Sequence, residues 1–206
     1  PQKAITWQHI ASSVTNQHKP SPSRRRLFKL GTALAIGSLI EVGTHKYFWR
    51  TGEARMLRPP GSLPENDFLT TCNRCSRCIK VCPTKGLHAA PLAEGILAYG
   101  SPELIPRKGA CELCMMCARI CPTGAIQPVA PLDIKIGIAL LNESTCLAWS
   151  QNKDCLICKE RCPANAISID TYKRPYIDHE RCIGCGACEN ACPVENSAVI
   201  VLPRYD

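Results

Sequence analysis

The chain of 206 residues contains sixteen cysteines, and every one belongs to a set of four. Three sets share the spacing Cys-x2-Cys-x2-Cys-x3-Cys-Pro: Cys72, Cys75, Cys78 and Cys82 before Pro83; Cys111, Cys114, Cys117 and Cys121 before Pro122; Cys182, Cys185, Cys188 and Cys192 before Pro193. The third set along the chain, Cys146, Cys155, Cys158 and Cys162 before Pro163, differs only in its longer first spacer. Thiolates are soft ligands suited to iron–sulfur clusters. In this run three thiolates hold one [4Fe–4S] cluster and the fourth ligates the neighbouring cluster. Four complete sets therefore predict four [4Fe–4S] clusters, with all sixteen cysteines as iron ligands. Three thiolates two residues apart on a tight loop can wrap three corners of one cubane. The fourth points away, and the proline after it fixes φ and turns the chain off the cluster.

Two other chemistries use cysteine pairs. Tetrahedral zinc sites need two Cys-x2-Cys pairs, but neither the third cysteine two residues on nor the Cys-Pro step. A disulfide framework is poorly served by Cys-x2-Cys groups repeated four times. The sequence contains no nucleophile–base pair, phosphate loop or open metal position, so no catalytic residue is assigned and one-electron transfer is expected.

The elements that must position these thiols follow from the spacers. Nineteen residues separate Cys162 from Cys182, close to the interval within a compact two-cluster ferredoxin. Residues 166–170 and 175–178 alternate on either side of a polar turn at Thr171-Tyr172-Lys173-Arg174, which reads as a β-hairpin. Motifs one and two are 28 residues apart, with Gly86, Pro91, Gly95, Gly100, Pro102 and Pro106 between them, and read as the same unit with a longer loop. Leu132–Leu140 reads as a strand between the units. Ser62 with Glu65 has the form of a capping box opening a short helix toward Cys72. The fold class is thus α+β: two tandem bacterial-type ferredoxin units, 65–131 and 132–206, behind a linker (51–64) and an N-terminal segment (1–50).

Local pairing puts Cys72, Cys75 and Cys78 with Cys121, and Cys82 with Cys111, Cys114 and Cys117. It likewise puts Cys146, Cys155 and Cys158 with Cys192, and Cys162 with Cys182, Cys185 and Cys188. The alternative is nested, motif one with four and two with three, as in electron-transfer subunits of molybdenum oxidoreductases. The 19-residue spacing favours local pairing.

The formal charge of +8 is confined to one end. Residues 1–58 carry ten basic side chains against Glu41 and Glu53, whereas 59–206 hold fifteen of each sign. Each oxidised cluster with its thiolates adds about −2, so the loaded domain is acidic and a nucleic-acid partner is excluded. With three Phe, three Trp and five Tyr, a large aromatic core is excluded too, and clusters must supply much of the folding free energy. Residues 1–22 are polar and read as disordered or weakly helical. Ser23-Arg24-Arg25-Arg26-Leu27-Phe28-Lys29 resembles a twin-arginine export signal. The apolar run Leu30–Ile40 after it fits a signal h-region and falls short of a comfortable membrane span. No Ala-x-Ala site follows; Gly52-Glu53-Ala54 is the nearest small-x-small pattern. Tyr47, Phe48 and Trp49 suit a membrane–water interface, so cleaved signal and retained anchor both stay open.

From the twin-arginine segment to about residue 202 the chain resembles the ferredoxin-type proteins of the NapG/MauM group. The resemblance rests on Leu57-Arg58-Pro59-Pro60-Gly61 with Glu65-Asn66 and Phe68, the eight-residue spacer from Cys146 to Cys155, and Cys182-Ile183-Gly184-Cys185-Gly186-Ala187-Cys188-Glu189. Cys114-Met115-Met116-Cys117 departs from the wider second-motif spacer common in the group, and the tail after Val201-Leu202-Pro203 is short. The resemblance implies a periplasmic electron carrier beside a polytopic membrane ferredoxin-like partner that oxidises quinol. It would pass electrons to a periplasmic acceptor such as nitrate reductase, or serve methylamine oxidation. Beyond the cysteines, His88 and His179 read as packing or surface residues. Met115 and Met116 read as shields of a cluster, and Lys153 and Trp149 as parts of a solvated loop.

Overall fold

Each cysteine run folds as a tight loop followed by about one helical turn, and the helices are short because little else nucleates them. A single turn fixes several backbone dihedrals for one hydrogen bond and is unstable alone. Here each one starts one residue before the third cysteine of its run and is held by what that thiol faces. The computed structural model describes residues 56–204. The polar extension, the twin-arginine segment, the interfacial aromatics, the start of the linker and the candidate cleavage site at Ala54 lie outside the described residues.

The helices are α1 (Glu65–Thr71), α2 (Arg77–Val81), α3 (Met116–Arg119), α4 (Leu147–Ser150), α5 (Ile157–Glu160) and α6 (Ala187–Ala191). The strands are β1 (Leu87–Ala89), β2 (Pro102–Leu104), β3 (Gly137–Leu141), β4 (Ile167–Ile169), β5 (Pro175–Ile177) and β6 (Val199–Pro203). They form three antiparallel pairs, β1–β2, β3–β6 and β4–β5. Among the described residues no helix is long and apolar enough to cross a membrane.

The internal repeat is visible in these pairs. The β4–β5 hairpin joins motifs three and four with Ile167 opposite Ile177, and β1–β2 joins motifs one and two with Leu87 opposite Leu104. The longer first loop is tied at its base by Ala90 N–H to Ser101 O (2.8 Å) and Gly100 N–H to Ala90 O (2.9 Å). In the second unit the outer strands β3 and β6 pair over five residues, Gly137 opposite Pro203 through Leu141 opposite Val199. The first unit has the same closure reduced to one bridge, Ser62 to Ile126, flanked by Leu63 N–H to Ala125 O (3.0 Å) and Gln127 N–H to Gly61 O (2.7 Å).

That bridge changes the reading of 51–64. Residues 56–64 are built into the fold rather than linking to it. Met56 and Leu57 are buried, and Leu57 O accepts the Leu104 N–H at 2.7 Å. The capping box is also absent: α1 begins after Pro64 with no side-chain cap, and the Ser62 hydroxyl donates to Pro59 O at 2.8 Å. Glu65 is instead taken by Arg58, whose Nε donates to it at 2.8 Å. Arg58 is 9% exposed; its Nη1 donates to Ser101 Oγ and Pro102 O, and its guanidinium lies 4.6 Å from the centre of the Phe68 ring. A tertiary ion pair outcompetes the local cap. The expected strand 132–140 starts late as well. Pro131–Asp133 is a 3₁₀ turn, and Ile134 and Ile136 are buried in the core before β3 begins.

The core is small and aliphatic. Among the described residues Phe68 is the one fully buried aromatic, and Cys78, Cys117, Cys182 and Cys188 stand among the Leu, Ile and Val side chains. Cys146 belongs to a satellite cluster with Ala148 and Ala198, against which Cys192 and Trp149 pack.

Candidate metal centres

Backbone curvature brings the thiols of each run together. In motif one the residues on either side of the second cysteine, Arg74 and Ser76, have positive φ. Leu113 and Met115 repeat this in motif two, and Gly184 and Gly186 in motif four. These are the same two positions of each loop, occupied by four non-glycine residues. A left-handed non-glycine residue costs about 1–2 kcal/mol, and such strain persists where surrounding structure fixes it, often at a functional site. Motif three lacks the pair: Leu156 has φ −120°.

The stretched spacer of motif three folds instead as α4, with Trp149 docked on the β4–β5 hairpin. Its Nε1–H donates to Pro175 O at 3.2 Å, and its ring meets Tyr176 edge-on at 5.2 Å. The Arg174 guanidinium lies 5.0 Å from the Trp149 ring and 5.3 Å from Tyr172. Lys173 pairs with Asp154. Trp149 is thus an internal anchor, while Lys153 is exposed.

Three cavities collect the thiols. One is lined by Cys82, Cys111, Cys114 and Cys117, with Met115 and Met116 in its wall. A second is lined by Cys162, Cys182, Cys185 and Cys188, and a third by Cys146, Cys155, Cys158 and Cys192. Each therefore combines three cysteines of one motif with the fourth of its sequence neighbour. Cys72, Cys75 and Cys78 crowd one another, and Cys121 follows α3, which packs on α2. Its grouping with Cys72, Cys75 and Cys78 rests on the symmetry of the unit. Among the described residues no group of His, Cys, Asp and Glu closes on a point as a single ion requires. Four thiols around an apolar cavity suit a larger, soft inorganic group.

Electrostatics divides the thiols by position in the run. Burial, then repulsion by Cys72 and Cys75, pushes Cys78 up to about 11. Burial chiefly pushes Cys111 up to about 11, with Cys185, Cys114 and Cys82 adding repulsion. Cys117 rises to about 12 through burial, Cys111, Cys114 and Cys78. Cys158 rises to about 11 through burial, Cys146 and Cys155. Cys188 rises to about 12 through burial, Cys185, Cys182 and Cys162. Buried thiols this close keep their protons until a cation compensates them.

Cys82, Cys121 and Cys192, each followed by proline, behave oppositely. Burial acts upward on Cys82, Cys121 and Cys192, yet hydrogen bonds outweigh it and hold all three below the ordinary thiol value. The Thr84 hydroxyl lies 3.4 Å from Cys82 Sγ and the Thr123 hydroxyl 3.7 Å from Cys121 Sγ. Ala198 N–H donates to Cys192 Sγ, and Ala166 N–H to Cys162 Sγ, both at 3.3 Å. The chain turns after Cys-Pro so that successive amides face the sulfur, a nest that favours negative charge. This donor set was legible only in part: Thr84 and Thr123 stand two residues after their cysteines, but nothing in the spacing marks the amides. His88 lies on β1 opposite Glu103, and His179 is exposed before Cys182; neither lines a thiol cavity.

Thiol sets crossed in this way, on paired loop–helix repeats, define the class of tandem ferredoxin-type iron–sulfur proteins. Models of a 4Fe–4S dicluster domain match residues 71–126 and 153–196; Cys146, ahead of the long spacer, falls outside the second match. The methylamine utilization ferredoxin-type protein MauM of Methylorubrum extorquens is 36% identical over 201 residues, 89% of this chain and 90% of its own. The ferredoxin-type protein NapG of Escherichia coli K12 is 33% identical over 212 residues, 92% of this chain and 90% of its own. NapF of the same organism is 32% identical over 152 residues, 71% of this chain and 85% of its own. The chain belongs to the NapG/MauM family of ferredoxin-type iron–sulfur electron-transfer proteins.

Proposed function

We propose that the protein relays single electrons through four [4Fe–4S] clusters on the periplasmic side of the inner membrane. The donor is a polytopic, quinol-oxidising membrane partner and the acceptor a periplasmic oxidoreductase such as nitrate reductase. The observation that carries the relay is the exchange of fourth cysteines between neighbouring motifs. Cys82 lines the cavity of Cys111, Cys114 and Cys117, Cys162 that of Cys182, Cys185 and Cys188, and Cys192 that of Cys146, Cys155 and Cys158. Cys121 completes the set of Cys72, Cys75 and Cys78. The nested arrangement of a molybdenum-enzyme subunit would bring Cys82 to Cys182, so local pairing is the better supported reading.

When bound, the clusters supply one-electron chemistry at fully ligated iron. The chain's residues do the rest. Sixteen thiolates hold the iron, and amides and hydroxyls at Cys82, Cys121, Cys162 and Cys192 favour the added negative charge. Met115 and Met116 keep water from the second centre. The basic N-terminal segment and the acidic loaded domain suit a protein exported folded by the twin-arginine route and held at the membrane surface. Protein prepared without oxygen should carry about 16 iron and 16 acid-labile sulfides per chain. Zinc in their place, or iron near half that value, overturns the reading.

A further inference from the structure

Nothing in the cysteine spacing says which cluster of the first unit faces which cluster of the second. The contacts between the units are specific. Cys111 N–H donates to Cys185 O at 2.8 Å. Just before Cys111, the arm Ile105–Gly109 lies on motif four. A Cβ on Gly186 would stand 2.3 Å from the Pro106 Cβ, so only glycine admits the arm there. Asn190 Nδ2 donates to Pro106 O at 2.9 Å. Arg107 then forks into the carbonyls that follow the third cysteine of motif four. Its Nη1 donates to Glu189 O (2.9 Å) and Cys192 O (2.8 Å), its Nη2 to Val194 O (2.7 Å) and Glu195 O (3.1 Å).

Within the first unit, α2 packs on α3 and Cys82 lines the cavity of Cys111, Cys114 and Cys117, which sets motifs one and two side by side. Within the second unit the exchanged cysteines Cys162 and Cys192 link motifs three and four. Cys182, Cys185 and Cys188 of motif four are all buried, under the arm that carries Cys111, whereas Cys75 of motif one and Cys114 of motif two are exposed.

We propose that the relay is ordered motif one, motif two, motif four, motif three, with the step between units made at the Cys111–Cys185 contact and Arg107 as the positioning residue that holds it. The proposal rests on the four-cluster reading above. Each crossing moves one electron, oxidising the group held by one thiol set and reducing the group held by the other, with no proton or further reactant. Chain order and electron order therefore differ: motif three, third in sequence, is terminal in the relay. Arg107 touches no thiol. It ties the arm carrying Cys111 to the segment carrying Cys192, so its loss frees one unit to shift against the other while both ligand sets stay whole.

The test uses the full chain, reduced without oxygen, with iron and sulfide counted on every sample and spin–spin coupling read by electron paramagnetic resonance. Cys75→Ala with Cys155→Ala disables motifs one and three, and the spins left should be a strongly coupled pair. Cys114→Ala with Cys185→Ala disables motifs two and four, and the spins left should be isolated. Coupling in the second sample equal to or stronger than in the first overturns the order. Arg107→Ala should keep the wild-type iron count and within-unit coupling but lose the coupling between units. Between-unit coupling unchanged in that variant overturns the role of Arg107. A wild-type count short of four clusters instead strikes the underlying four-cluster reading, so the two failures are distinguishable.

Discussion

Replacing Thr84 by valine keeps the shape of the side chain and removes one donor, the hydroxyl 3.4 Å from Cys82 Sγ. That hydroxyl also accepts the Gly86 N–H at 3.4 Å, so its free proton is aimed at the sulfur. In the reduced cluster the sulfur carries more negative charge and the bond strengthens. Losing it therefore makes reduction harder, and the potential falls. A hydrogen bond to a charged group is worth about 1.5–3 kcal/mol. The added electron is spread over the cluster, so about a third of that value responds to reduction, roughly 0.5–1 kcal/mol. At 59 mV per tenfold change for one electron this is about 20–45 mV downward. A redox titration followed by electron paramagnetic resonance reads the shift, which should appear in one of four midpoints, that of the set containing Cys111. Thr84→Ser should retain the wild-type value, because a hydroxyl remains. Thr123→Val should move a different midpoint by less, its hydroxyl being 3.7 Å from Cys121. An unmoved potential in Thr84→Val, or an equal fall in Thr84→Ser, refutes the reasoning.

Arg58→Ala leaves the partly buried Glu65 without its partner and strips the Phe68 ring of its cation; the loss should be about 2–3 kcal/mol in denaturant unfolding, and a change below about 1 kcal/mol contradicts it. Gly184→Ala puts a Cβ 2.2 Å from Gly137 N at φ +70° and should abolish loading of the second unit. Gly124→Ala, at φ +73° with open space around it, should cost only the left-handed penalty of about 1–2 kcal/mol. Iron content of the two proteins separates these outcomes, and equal loading in both contradicts the packing argument. Arg24→Lys with Arg25→Lys should leave the iron count intact and strand the protein in the cytoplasm; cell fractionation reads it, and normal periplasmic accumulation refutes export by this route.

The clustering of the cysteines and the β4–β5 hairpin are legible in the sequence because both are local. Thiol spacing is a matter of a few residues, and residues 166–178 carry alternation on both sides of a polar turn. Misreadings arise where distant residues compete with neighbours. Ser62 and Glu65 form a capping box on paper, but Arg58 claims Glu65 because the pair and the Phe68 contact reward burial more than a cap does. Residues 56–64 look like a linker through their prolines and glycine, yet Gly61 is there because Gln127 O passes 1.9 Å from where a Cβ would sit. Trp149 looked like a loop residue since its partner Pro175 lies 26 positions on. Arg107 gave no signal at all, as its four carbonyls are more than 80 residues away.

The pairing of β3 with β6 bears on how the chain is made. β3 ends at Leu141 and its partner begins at Val199, so at 5–20 residues per second the ribosome needs roughly 3–12 s to supply the second strand. Through that interval Ile138, Ala139 and Leu140 offer an unpaired edge, an invitation to aggregate. Glu189, one residue past Cys188, accepts the Val201 N–H at 2.7 Å and so ties the arriving strand to the last ligand loop. The last cysteine, Cys192, and the strand that closes the edge then follow closely in synthesis, and a chain interrupted before both is exposed on both counts.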